Sequence, residues 1–197
     1  MPYWGVPVPE LRAVCREIFN ANRLPTPAAW KVACLNIWRD ASRREERYAA
    51  IELTGHRFYR DFQTLDMLPM YEEMIVTGAW WDFVDTIASR RLGPLLAKYP
   101  AVMRRKMLVW SRSRNMWKRR SAILCQLHFK KETDLKLLYA VIEPSLASKE
   151  FFLRKAIGWA LRQYAWTDAS EIQRWVRNNR HRLSPLTVRE ALKNIED

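Results

Sequence analysis

The chain has 197 residues, 49% of them hydrophobic, with 34 Lys and Arg against 21 Asp and Glu and a formal net charge of +13. That apolar content suffices for one substantial core and excludes a disordered chain. No apolar run approaches the roughly 20 residues of a membrane span, and the start lacks the basic, apolar and small-residue succession of a signal peptide, so a cytoplasmic protein is expected.

Only five glycines occur and strand-like alternation is missing, while proline or a short polar residue recurs just before segments with helical spacing. Pro9 is expected to open a helix with Leu11, Val14, Cys15 and Ile18 on one stripe. Thr26-Pro27 caps a second helix, and Ser42 with Glu45 has the spacing of a capping box for a third. Further helices begin near Pro69, Trp80, Pro100, Asn115, Thr133, Ser148, Thr167 and Ser184-Pro185, with short connections and no low-complexity linker. Cys15, Cys34 and Cys125 are odd in number, far apart and without a CxxC pair, and His56, His128 and His181 are equally scattered. Neither a disulfide framework nor a metal site is expected.

Small residues inside the helices recur weakly. Ala50, Ala88, Ala122 and Ala156 lie 38, 34 and 34 positions apart, a period suited to helix pairs stacked as a solenoid. The expected fold is therefore all-α, a helical-repeat array with a concave groove.

The charge is concentrated. Between Asp85 and Glu132 there is no acid, yet there are thirteen Lys and Arg, as many as the whole net charge. Phosphate backbones suit so dense a positive field, because neutralising them releases counterions. At its N-terminal border stands Trp80-Trp81-Asp82-Phe83-Val84-Asp85. Trp81 and Asp85 share a helix face, away from Phe83, Val84 and Ile87. In the helix from Ser148 to Ala165, Leu153, Ile157, Ala160, Leu161 and Tyr164 form the core stripe, whereas Lys155, Trp159 and Arg162 fall together elsewhere. Arg120 interrupts the apolar stripe of Met116, Ile123, Leu124 and Leu127 and needs an anion. Each feature has a structural reading too: the tryptophans as interhelical packing, Asp85 as an ion-pair partner of Arg120, the other cations as solvated surface charge.

Trp80–Asp85 (WWDFVD), Asn115–Leu127 (NMWKRRSAILCQL), Ser148–Tyr164 (SKEFFLRKAIGWALRQY) and Leu183–Ile195 (LSPLTVREALKNI) together resemble the DNA alkylation repair family of AlkD-like glycosylases. The likeness runs from about Gly5 to the C-terminus, in block order and spacing. It implies a single HEAT-like domain over residues 1–197 that removes N3- or N7-alkylated purines from duplex DNA without flipping the base. It also implies that Trp81, Asp85 and Trp159 form the catalytic pocket and that Arg120 holds the DNA backbone near the lesion. Lys155, Arg162, Arg119 and Lys118 are further candidate DNA contacts.

Such a base is cationic and a good leaving group, so the enzyme chiefly has to stabilise an oxocarbenium-like sugar and admit water. Asp85 is suited to both tasks, and the tryptophan faces to the deoxyribose and the cationic base. No metal, organic cofactor or lysine nucleophile is called for. The expected protein is a bacterial-type monomer, cytoplasmic and nucleoid-associated in use. Family members usually begin with a further helical segment carrying an aromatic residue of the lesion site. Here the chain starts Met1-Pro2-Tyr3-Trp4, so that segment is expected to be missing or replaced, with Tyr3 or Trp4 as partial substitutes. The competing readings are a non-catalytic binder of branched or distorted DNA on the same scaffold and a helical protein-interaction scaffold.

Overall fold

The computed structural model describes residues 1–193 and 195; Asn194, within the last matching block, and Glu196 and Asp197, within the expected 1–197 domain, lie outside the described residues. Among the described residues there is no strand. The architecture is all-α, in two compact units, Met1–Gly78 and the chain from Ala79 onward.

The first unit holds α1 (Val8–Ala21), α2 (Pro27–Asp40), α3 (Arg44–Thr54) and α4 (Leu68–Gly78). Helix α2 starts as expected: Thr26 accepts the Ala29 amide and Pro27 takes the first helical position, where its missing N–H costs nothing. The box at α3 sits one residue later than Ser42 and Glu45 imply. Glu46, not Glu45, accepts the Ser42 and Arg43 amides. Glu45 instead turns inward, and its Oε1 takes the amides of Trp4 and Gly5 at 2.9 and 2.8 Å, with Val6 at 3.4 Å, pinning the N-terminal strap to α3. The α1 stripe is also corrected: Cys15 and Phe19 are buried, whereas Val14 and Ile18 are 54% and 51% exposed. Helix α1 packs against α3 with Cys15 and Phe19, four residues apart, turned inward, leaving Val14 and Ile18 on the uncovered flank. Large side chains fill this unit's core, and the polar edges of its tryptophans are satisfied. Trp30 Nε1 donates to the Leu53 carbonyl at 3.2 Å and Trp38 Nε1 to Thr77 Oγ1 at 2.8 Å.

The second unit contains α5 (Trp81–Ile87), α6 (Gly93–Lys98), α7 (Pro100–Trp110), α8 (Met116–Leu124), α9 (Leu135–Ile142), α10 (Phe151–Ala165), α11 (Ala169–Asn179) and α12 (Pro185–Leu192). Helix α6 was not anticipated. It continues from α5 through a π-helical turn at Ala88–Leu92 and carries Pro94 in its first turn, a start signal that goes unread in the sequence because no polar cap precedes it. Helix α8 packs on α5, α7, α9 and α10, and α10 packs in turn on α11 and α12. The repeating alanines sit where helices meet: Ala50, Ala88, Ala122 and Ala156 are fully buried. Ala79 takes a left-handed backbone, φ 44°, just ahead of Trp80. That conformation costs a non-glycine residue about 1–2 kcal/mol, which the packing of α5 must offset.

No described helix is long and apolar enough to cross a membrane. All three cysteines are buried and none forms a disulfide; burial pushes the Cys125 thiol up to about 12, as befits a packing residue. Among the described residues no three His, Cys, Asp or Glu side chains group as metal ligands.

Candidate active site

Helices α5, α8, α10 and α12 enclose a cleft of about 280 Å³ lined by Trp81, Asp85, Arg120, Lys155, Trp159, Arg162, Glu190 and two phenylalanines, Phe151 and Phe152. Residues as far as 109 positions apart in sequence, Trp81 and Glu190, thus meet at one site. Trp81 and Asp85 lie on successive turns of α5, as their spacing requires. Phe83, Val84 and Ile87 on the other side of that helix are buried in the core. Trp81 is 41% exposed, unusual for so large an apolar side chain, whereas Asp85 is 7% exposed.

Asp85 is held by α8. Arg120 Nε and Nη2 donate to Asp85 Oδ1 and Oδ2, both at 2.7 Å, the parallel fork that guanidinium and carboxylate geometry favours. The third arm, Nη1, donates to the Phe152 carbonyl at the start of α10. One arginine therefore ties three elements of the cleft together. Arg120 is itself 4% exposed, so the anion that its place on the apolar stripe demands is Asp85. Burial pushes the Asp85 carboxyl above its ordinary value, Arg120 pulls it back, and Asp82 adds a smaller upward push. Each carboxylate oxygen keeps a second lone pair for a ligand in the cleft.

The opposite wall is the α10 stripe Lys155, Trp159 and Arg162. Trp159 is half-buried: it packs on the core cluster of the second unit while also lining the cleft, so the packing and site readings of this residue coexist. Lys155 Nζ and Arg162 Nη1 both pair with Glu190 of α12, at 2.8 and 3.0 Å. Aromatic rings frame the mouth. Phe152 lies 5.2 Å from Trp117 and 5.4 Å from Phe151, centroid to centroid, and Phe151 is 56% exposed.

The cleft brings together Trp81, Asp85 and Trp159, expected as pocket residues, with Arg120, Lys155 and Arg162, expected as DNA contacts, whereas Glu190, Phe151 and Phe152 were not anticipated. Glu190 itself carried no signal; the indirect one was Gly158, a glycine inside a helix, which marks a close approach without naming what approaches. A Cβ built on Gly158 would lie 2.4 Å from Glu190 Cβ, so the missing side chain is what lets α12 approach. Lys118 and Arg119 do not line the cleft. Lys118 Nζ lies 5.2 Å from the Trp110 ring centroid, and the buried Arg119 Nε has no hydrogen-bond partner among the described residues.

Residues 1–195 match the family described as DNA alkylation repair enzyme. The chain belongs to that family. Among solved structures it is similar to a predicted DNA alkylation repair enzyme from Enterococcus faecalis, at 27% sequence identity and a TM-score of 0.87, covering 99% of this chain and 89% of that one. No curated protein matches it. Membership of the family supports a role in the repair of alkylated DNA, and with it DNA binding, to which the net charge of +13 is suited.

Proposed function

We propose that this family member is a monofunctional alkylpurine DNA glycosylase, its two units acting as one HEAT-like DNA-binding domain on duplex DNA. The observation that carries the reading is the convergence of Trp81, Asp85 and Trp159 on one cleft, with the carboxylate fixed by the Arg120 fork. Arg120 already balances the Asp85 charge, and what the cleft offers beyond that ion pair is a fixed carboxylate with free lone pairs beside two tryptophans, an arrangement suited to a positive charge. An N3- or N7-alkylated purine supplies one in the base, and glycosidic cleavage develops another on the sugar.

In the mechanism we infer, the aromatic faces of Trp81 and Trp159 hold the deoxyribose and the cationic base. As the C1′–N bond lengthens, positive charge moves to C1′ and the ring oxygen, and Asp85 stabilises it. The carboxylate lone pairs that Arg120 leaves free accept a hydrogen bond from the attacking water, orient it toward C1′ and take up its proton as the C1′–O bond forms, before passing that proton to solvent. The departing base takes the bonding electron pair, which quenches its charge, so no general acid is needed. Arg120 acts through Asp85: the fork fixes the carboxylate's orientation and favours its ionised form. Lys118 and Arg119, with the exposed cations of the acid-free span, track the phosphate backbone.

The test is excision from duplex DNA carrying N7-methylguanine or N3-methyladenine, with the protein in excess and free base measured. Release of either base supports the reading. Absence of release from both, with retained binding to branched or distorted DNA, would replace it with the non-catalytic binder.

A further inference from the structure

The cleft lining holds three cations, Arg120, Lys155 and Arg162, and two carboxylates, Asp85 and Glu190. Asp85 is matched to Arg120. Among the described lining residues Glu190 therefore faces both remaining cations alone, and it does so from a constrained position. Its side chain is 12% exposed. Its Oε1 meets Lys155 at 2.8 Å and its Oε2 meets Arg162 at 3.0 Å, while Arg162 also donates to the Glu190 carbonyl at 3.1 Å. Lys155, Gly158, Trp159 and Arg162 follow the i, i+3, i+4, i+7 pattern of one helix face, and Gly158 provides the gap into which Glu190 fits. Its carboxyl is held below the usual glutamate range by hydrogen bonds from Lys155 and Arg162, against some burial, so it is ionised at neutral pH.

An ammonium and a guanidinium flanking Trp159 would make that wall an anion site. Paired with Glu190, which puts one negative charge against two positive ones, they leave the wall beside the indole at a summed charge of +1 instead of +2. We propose that Glu190 is a specificity-determining residue of this cleft: by halving the positive charge of Lys155 and Arg162 it lets a nucleotide with a positively charged base lie beside Trp159, where the two cations alone would repel it more strongly. This rests on the alkylpurine reading for the identity of the base, but the charge argument holds for any cationic aromatic ligand. Removing one unit charge several ångströms from a bound cation, in a half-buried cleft, changes its binding on the order of tenfold.

The test compares two duplexes that share backbone and sequence. One carries 7-methylguanine on a 2′-fluoro sugar that resists cleavage, which is cationic; the other carries its neutral isostere, 7-deaza-7-methylguanine, on the same 2′-fluoro sugar. The ratio of the two affinities cancels general phosphate binding. Glu190→Gln, which raises the wall from +1 to +2, is expected to lower the preference for the cationic duplex about tenfold, whereas Lys155→Gln, which leaves Glu190 balanced by Arg162 alone and the wall neutral, is expected to raise it. A merely structural role for the ion pair would move both variants the same way, and that result, or an unchanged ratio in both, would overturn the proposal. Lys155 is 38% exposed, so that variant gives a folded protein even where Glu190→Gln is poorly stable. Opposite shifts in a protein that excises neither methylpurine would leave the proposal standing and remove the glycosylase reading. Excision by the wild type with no shift in either variant would do the reverse.

Discussion

Replacing Asp85 by Asn keeps the side-chain shape and removes one charge at the point where the cleft chemistry is expected to need it. The structural cost follows from the Arg120 fork. Deleting one partner of a buried pair costs about 3–5 kcal/mol, but the Asn carbonyl still accepts one of the two 2.7 Å bonds, so about 2 kcal/mol is expected. In a chain of this length that lowers the melting temperature by roughly 4–8 °C, leaving the protein folded at 25 °C. The chemical cost is separate. A carboxylate that stabilises the developing oxocarbenium charge contributes about 2.7 kcal/mol if its loss slows the step about 10²-fold. The assay is single-turnover release of N7-methylguanine from duplex DNA under enzyme excess, with DNA affinity and thermal unfolding measured in parallel. Affinity is expected to hold or rise, because a negative charge near phosphate has gone. The pH profile adds an independent reading. Burial raises the Asp85 carboxyl above its ordinary value of 3.8, and the ionised form is the active one. The wild-type rate therefore falls as pH drops through that raised value, at higher pH than an exposed aspartate would give. Asp85→Asn lacks this limb. Equal excision rates for the folded wild type and variant would refute the assignment, leaving Asp85 as the structural partner of Arg120.

Arg120→Ala strands the Asp85 carboxylate in a buried site and opens the Phe152 contact, so a loss of about 3–5 kcal/mol in stability is expected; weakened DNA binding at an unchanged melting temperature would instead give Arg120 an anion on the DNA. Gly158→Ala would add about 1 kcal/mol of stability in an open helix. Here the new Cβ meets Glu190 Cβ at 2.4 Å and the Thr187 carbonyl at 3.0 Å, so a net loss of about 1–3 kcal/mol is expected, and a raised melting temperature would show that α12 moves away freely. Binding to undamaged duplex is expected to weaken with salt, log K falling against log salt with a slope of about minus five if roughly six phosphates are contacted; a flat dependence between low and moderate salt would remove the backbone-tracking role of the acid-free span.

Local chemistry made much of this protein legible in the sequence. Thr26-Pro27, Asn115 and Ser184-Pro185 start helices because each satisfies or removes amide donors within its own first turn, which depends on no distant residue. Helical periodicity likewise separated Trp81 and Asp85 from Phe83 and Val84, and Trp159 from Leu153 and Ile157, since 3.6 residues per turn assigns faces before any partner is known. The spacing of Ala50, Ala88, Ala122 and Ala156 marked the places where helices approach. Periodicity cannot name the partner across a face. That Arg120 spends its fork on Asp85, 35 positions earlier, and its remaining arm on Phe152 was decided by the packing of α8 between α5 and α10. The same holds for Glu45, whose spacing fits a capping box but whose carboxylate is taken by the N-terminal strap. It holds for Glu190, an ordinary surface glutamate by pattern, which the absent side chain of Gly158 draws into the cleft beside Trp159. Sequence fixes what each helix face offers; which charges meet, and so which remain available to a ligand, is set by how closely the helices can pack.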